Sequence, residues 1–303
     1  MIGRREFSAL LTQSLLLGTV GASSQVLGKE KDLIKPGVQL YSVRDLLAQD
    51  PDTCLQQLVE IGFSHVEWFD VTTLELLGPV ARRLGLAVSS CHVLAPYITG
   101  DPAALSGLGS AAEKFADPEH LLDTLQKFQV QHLVVGYLRE EERQTLGQYR
   151  ALIEKMNRFG ERCRERGIQL AYHNHEFEFS KLEGERPFDL MVKELDPALV
   201  FFELDVFWAY FAGLDPAATI RSLGGRCQLL HLKDLKVPPD GKLPEQASPA
   251  MFAELGRGEL DFSAILSAAR EVGVSSYYIE QDWTIGSPLD SLQHSFAYLR
   301  SIS

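Results

Sequence analysis

Between residues 37 and 300 the chain passes eight times from a short β-prone apolar run into a stretch with helical periodicity. The runs fall at 38–43, 65–69, 87–93, 132–138, 169–175, 200–205, 228–233 and 277–281. The helical patterns lie near 51–61, 73–84, 118–128, 145–166, 187–195, 215–223, 261–272 and 288–300. A helix between successive strands returns the chain to the edge it left, so the strands come out parallel. Eight such units are the number that closes a (β/α)8 barrel. The competing α/β arrangement is an open doubly wound sheet. It carries a glycine-rich loop after its first strand, and no such loop is present here.

Punctuation supports the same division. Asp50-Pro51, Asp117-Pro118, Asp215-Pro216 and Ser287-Pro288 each set a capping side chain before a proline at the first helical position. Gly62, Gly85, Gly167 and Gly273 follow helical patterns, where a left-handed terminal cap is expected. Two connections are long, 94–116 and 235–259, and both follow carboxyl ends of strands. Loops there overhang the face on which barrel enzymes build their sites.

Four runs end in a metal-binding side chain: Leu170-Ala-Tyr-His173-Asn-His175-Glu176, Phe201-Phe-Glu-Leu-Asp205, Leu229-Leu-His231 and Tyr277-Tyr-Ile-Glu280. A barrel gathers these ends at one face, so the four ligands are expected to converge on one divalent ion. One or two imidazoles with two carboxylates suit Mn2+ as first candidate, with Zn2+, Co2+ and Mg2+ as alternatives. His173 and His175 are two apart and would share a side of a strand. One can ligate while the other moves protons, and spacing leaves open which does which. Asp205 ends an apolar run and is costly to bury without a cation. Glu203 shares its parity but lies deeper and needs a partner of its own. Lys233 stands two beyond His231, where it can meet a developing oxyanion. Tyr41, Glu67, His92, Glu178 and Trp208, late in a run or just past one, are the expected substrate contacts. His65 and His132 open their runs and are read as structural.

The 303 residues are 45% hydrophobic and 23% charged, enough for one large core. A net charge of −12 without a basic stripe argues against nucleic acid as a partner. The four cysteines form no C-x-x-C pair. Residues 1–28 read as an export signal: Arg4-Arg5-Glu6-Phe7, the leucines at 10–11 and 15–17, then Gly21-Ala-Ser-Ser24. The paired arginines resemble the twin-arginine type. Thr12, Gln13 and Ser14 interrupt the apolar stretch, which is too short and polar to span a bilayer. The expected organisation is a signal over 1–28 and one barrel domain over 37–303. The mature protein is expected in the periplasm or otherwise exported, with no membrane span. Oligomeric state is left open, a homo-oligomer included.

Six motifs together resemble the xylose-isomerase-like superfamily, which includes sugar phosphate isomerases/epimerases. They are Val38-Gln-Leu-Tyr-Ser-Val-Arg44, Tyr172-His-Asn-His175 with Phe177-Glu-Phe179, Glu203-Leu-Asp205, His231-Leu-Lys-Asp234, Gly256-Arg-Gly-Glu-Leu-Asp-Phe262 and Ile279-Glu-Gln-Asp282. The resemblance spans about residues 37 to 300. It implies a TIM barrel with one divalent ion held from the fifth to eighth strands, here His173, Asp205, His231 and Glu280. Many ketose epimerases of the superfamily have Glu where His173 stands, so His175 is the alternative strand-five ligand. Resemblance to the 3-dehydroshikimate dehydratases would instead make His175 a proton-handling residue.

Three functions follow as expectations, all on a small carbohydrate. The first is sugar isomerisation or epimerisation through an enediolate, with His175 or Glu280 as base and Lys233 near the oxyanion. The second is a lyase, in which the same enolate expels a β-leaving group from a 3-keto-glycoside or a cyclic hydroxy-ketone. The third is a sugar-binding barrel without turnover. No cationic phosphate clamp is evident, which favours a neutral keto-sugar.

Overall fold

The computed structural model describes residues 35–303 apart from 102–103, 106–108, 238–242 and 245. The export-signal segment, residues 1–28, lies outside the described residues. Eight strands form the barrel: β1 (Gly37–Gln39), β2 (His65–Trp68), β3 (Ala87–Leu94), β4 (His132–Tyr137), β5 (Gln169–His173), β6 (Val200–Asp205), β7 (Cys227–Leu232) and β8 (Ser276–Ile279). Every neighbouring pair is parallel, and the order β1-β8-β7-β6-β5-β4-β3-β2 closes on itself. Among the described residues no helix is long and apolar enough to cross a membrane.

Helix starts follow the cap chemistry. Asp50, Asp117, Asp215 and Ser287 each accept a hydrogen bond from a backbone N–H of the first turn, one residue ahead of a proline. Gly62, Gly85, Gly167 and Gly273 all have positive φ, as the left-handed caps require. The apolar core lies between strands and helices, whereas the barrel interior is layered. Val134, Ala171, Leu229 and Tyr278 fill its lower part as a separate small cluster. One pleat further along the same strands stand Gly136, His173, His231 and Glu280, so the apolar plug becomes the foundation of a polar layer.

Three expectations change. The first strand ends at Gln39, not 43: the Gln39 side chain accepts from Tyr41 N at 3.2 Å and starts a 3-10 turn, Leu40–Val43. Tyr41 thereby leaves the sheet. The fifth strand ends at His173, so the shared-strand argument does not apply to His175. Asn174 there bonds the Asp205 backbone, accepting from its N at 3.1 Å and donating to its O at 3.4 Å, and the chain turns away. The long connections also carry secondary structure of their own. Residues 94–116 include the helices Ala95–Thr99 and Ser110–Glu113, and 235–259 returns as a small antiparallel pair, Asp234–Leu235 with Phe252–Ala253.

That pair explains the Gly256–Phe262 motif. The Asp234 carboxylate accepts from the backbone N of Leu235, Gly256, Gly258 and Leu260 at 2.8–3.2 Å. A Cβ on Gly258 would meet Asp234 Oδ1 at 2.3 Å, so glycine is needed for this approach. The motif fastens the seventh connection beside Lys233 and is not part of the cavity lining.

Candidate active site at the carboxyl end of the barrel

The polar layer has a lower and an upper tier. In the lower tier Glu203 Oε2 is approached by three ring nitrogens: His92 Nε2 at 2.7 Å, His173 Nδ1 at 3.2 Å and His231 Nε2 at 3.2 Å. Glu67 stands beside them, hydrogen-bonded to His231 Nε2 and 3.1 Å from His92 Nε2. Gln39 Nε2 donates to Glu67 Oε1 at 2.8 Å, across a β1–β2 register that pairs the two residues. His92 fits only because residue 136 is glycine: a Cβ there would lie 2.3 Å from His92 Nδ1. Burial opposes charge on His92, but Glu67 and Glu203 override it and hold the imidazolium up to about 9. Burial and the Glu67 charge push the Glu203 carboxyl up to about 7. Burial and the neighbouring cations hold His173 well below the ordinary histidine value.

The upper tier contains Asp205, His231, Lys233, Glu280 and Asp282. Asp205 Oδ1 caps the helix Val206–Phe211 through the N–H groups of Phe207 and Trp208. Its buried Oδ2 makes no hydrogen bond of good geometry and faces Lys233 Nζ at 2.9 Å and His173 Nε2 at 3.7 Å. His231 Nδ1 lies 2.7 Å from Glu280 Oε2 and 4.0 Å from Asp205 Oδ2. Lys233 Nζ also lies 2.7 Å from Glu280 Oε2 and 3.2 Å from Asp282 Oδ2. Burial disfavours that ammonium, yet Asp205, Asp282 and Glu280 keep it well above the usual lysine value. Conversely, burial would raise Glu280, but Lys233 and His231 hold it below the carboxylate range.

Asp205, His231 and Glu280 offer one ligand atom each within 4.8 Å of one another, and Asp205 Oδ2, ion-paired with Lys233 but without a hydrogen bond of good geometry, has a lone pair left for a cation. Two hard carboxylates and one imidazole fit a divalent ion. His92, His173, Glu203 and His231 form a second convergent set. His173 therefore stands between the tiers, with one nitrogen toward each.

Above this floor a cavity of about 590 Å3 opens to solvent. His175, Lys233, Glu280 and Asp282 face it, as do Tyr41, His92 and Trp208 from the expected contacts. His175 Nδ1 and Trp208 Nε1 are buried there without hydrogen-bond partners. Burial and Lys233 hold His175 well below the ordinary histidine value, so it is a neutral imidazole at neutral pH. Its ring stacks on Phe177, centroids 5.5 Å apart, and lies 5.0 Å from the His173 ring.

Two expected contacts sit elsewhere. Glu67 is wholly buried in the lower tier, below the cavity lining. Glu178 is wholly buried behind β5, where it accepts from Tyr172 Oη at 2.6 Å and His175 N at 2.8 Å. Burial lifts its carboxyl to about 8. It positions the His175 loop and does not line the cavity. Sequence reasoning gave no site role to Gln39 or Asn174 and left Glu203 and Asp282 without one. Inward parity with Glu67, Asp205 and Glu280 was the signal available for Gln39, Glu203 and Asp282. Nothing in the sequence marked the backbone-pairing Asn174.

A model of the family described as xylose isomerase-like TIM barrel matches residues 55–302. Inosose dehydratase of Geobacillus thermodenitrificans (strain NG80-2) is 25% identical over 159 residues, 49% of this chain and 53% of that protein. The chain thus spans about half the length of the curated relatives it matches. A sugar phosphate isomerase/epimerase from Parabacteroides distasonis ATCC 8503 superposes with TM-score 0.70 at 24% identity, covering 92% of this chain and 97% of that one. A xylose isomerase-like TIM barrel protein from Mycobacterium smegmatis, solved in complex with magnesium, gives 0.62 at 16% identity over 89% and 96%. At these identities the structural matches establish the fold.

Proposed function

This chain belongs to the xylose isomerase-like TIM barrel family, and from that premise we propose a lyase that enolises and then dehydrates a neutral polyhydroxy ketone. The observation that carries the proposal is that His175 and Lys233, an uncommitted imidazole and a carboxylate-held ammonium, face one cavity. A neutral imidazole beside a fixed ammonium supplies a base and a positive charge for the oxyanion that proton removal creates. The inosose dehydratase relatives support the same choice.

Asp205, His231 and Glu280, with His173 beside them, would hold a divalent ion, Mn2+ first, which when bound polarises a substrate carbonyl. His175 takes the proton from the carbon next to that carbonyl through Nδ1. The C–H electron pair moves to the carbonyl and leaves an enolate. Lys233 stands near that oxygen and offsets its charge as it develops. The C–O bond at the β-carbon then breaks, the electron pair leaves with the hydroxyl, and the His175 imidazolium returns a proton so that water departs. Trp208 Nε1 is a free donor for a substrate hydroxyl.

Epimerisation is the second reading. Glu280 follows β8 and His175 follows β5, three strands apart around the ring, so a second base approaches the substrate from another side. Incubation with cyclic and open-chain polyhydroxy ketones and Mn2+, followed by product analysis, tests the choice. The expected product has lost one water and carries an enone or diketone. An epimer would transfer the proposal to the second reading. Ligand-induced stabilisation without any product would favour a sugar-binding barrel. Export by the twin-arginine route also belongs to the proposal, on the strength of Arg4-Arg5. Arg4→Lys with Arg5→Lys should retain the protein in the cytoplasm, and unchanged periplasmic yield would reject that route.

A further inference from the structure

Two carboxylates, Glu67 and Glu203, lie under the cavity floor, and neither lines the cavity. Glu67 is 0% exposed, and its Oε1 receives Gln39 Nε2 and His231 Nε2 and lies 3.1 Å from His92 Nε2. His231 is equally buried, with Nε2 turned down toward Glu67 and Nδ1 turned up toward Glu280 and Asp205. The ring is thus fixed between a lower pair of acceptors and an upper pair.

We infer that Glu67 is the positioning residue that holds the Nε2 proton of His231, so that the Nδ1 lone pair is the one offered to a divalent cation. This rests on the reading that Asp205, His231 and Glu280 hold that cation. A neutral imidazole has one N–H and one lone pair, and a carboxylate can only accept. With a cation at Nδ1, the remaining proton sits on Nε2 and needs an acceptor in a place closed to water. Glu203 Oε2, 3.2 Å away, is the other acceptor in reach, but it already pairs with His92 Nε2 at 2.7 Å. Glu67 is in turn oriented by Gln39, its register partner on β1. The line Gln39–Glu67–His231 therefore runs from the β1–β2 side of the barrel to the cation site. A carboxylate on the far nitrogen of a ligating histidine fixes its tautomer and raises its basicity, and its loss costs about 10- to 100-fold in metal affinity.

The test uses Zn2+, which is diamagnetic, and protein labelled with 15N-histidine. In the Zn2+-loaded wild type, His231 should show a protonated Nε2 and a zinc-shifted Nδ1. Zinc on Nε2, or a proton on Nδ1, overturns the inference. Dissociation constants are then measured by chelator competition for Glu67→Gln, which keeps an acceptor oxygen, and Glu67→Ala, which does not. The expected order is wild type tightest, Gln intermediate and Ala weakened about 10- to 100-fold. Wild-type affinity in both variants overturns it as well. If Glu67→Ala does not fold, the wild-type spectrum and Glu67→Gln still decide. A wild type that binds no Zn2+ or Mn2+ at all would instead refute the cation site beneath the inference.

Discussion

Lys233 directs its ammonium at Glu280, Nζ to Oε2 2.7 Å, inside the ligand set that a divalent ion would share. The same nitrogen lies 2.9 Å from Asp205 Oδ2. In the metal-free protein this lysine is the cation that offsets two buried carboxylates. Removing one partner of a buried pair costs about 3–5 kcal/mol. Lys233→Met should therefore destabilise the metal-free protein by about that amount in urea denaturation. Saturating Mn2+ should narrow the gap to wild type, because the ion supplies the missing positive charge. An equal deficit with and without Mn2+ would separate Lys233 from the ligand set.

His175 is expected to be catalytic and not a ligand. His175→Asn should lower turnover about 10²- to 10⁴-fold, the range for a general base, while Mn2+ content by elemental analysis stays at the wild-type value. Loss of the ion in this variant would make His175 the fifth-strand ligand and leave His173 to the lower tier.

Gly136 is expected to matter through His92. The 2.3 Å approach of a Cβ to His92 Nδ1 leaves no room for alanine. Gly136→Ala should cost about 1–3 kcal/mol of stability, as overpacking does. Adding His92→Ala should recover part of that loss, since the two sites are in contact. Strict additivity in the double-mutant cycle would contradict this packing.

The stability of the metal-free protein should depend on pH through His92. Burial opposes its charge, but Glu67 and Glu203 raise it from 6.5 to about 9 in the folded state. The native state then holds a proton that the unfolded chain releases, so stability falls as pH rises. The contribution is complete below pH about 6.5 and gone above about 9, and amounts to roughly 3 kcal/mol. Denaturation midpoints from pH 6 to 10 should drop across that window in wild type and less in His92→Gln. A parallel slope in both would assign the effect to another group.

The barrel was legible because its local signals agree. Val200–Asp205 is a strand with the bounds its apolar run suggests, and Asp215-Pro216 starts its helix. Reading failed where one side chain captured backbone. Gln39 takes the N–H of Tyr41 and ends the first strand early, and Asn174 pairs with Asp205 and ends the fifth. Parity and position along the run set Glu203 on the side of Asp205 but deeper, where the structure has it, whereas the late place of Glu67 in its run did not reveal that it too lies beneath the cavity. Depth decides that Asp205 reaches the ligand set while Glu67 and Glu203 lie beneath it. Glu178 was misplaced for a related reason: it leaves a 3-10 turn toward the core, where Tyr172 and the His175 amide receive it.

The central claim is proton abstraction next to a carbonyl by His175. The most direct measurement is deuterium uptake by a polyhydroxy ketone incubated in D2O with Mn2+-loaded enzyme, followed by NMR and mass spectrometry of substrate and product. The expected result is deuterium at the carbon beside the carbonyl, or elimination there, in wild type, and neither in His175→Asn at equal metal content. Bound substrate recovered with all its C–H hydrogens and no elimination product would contradict the account.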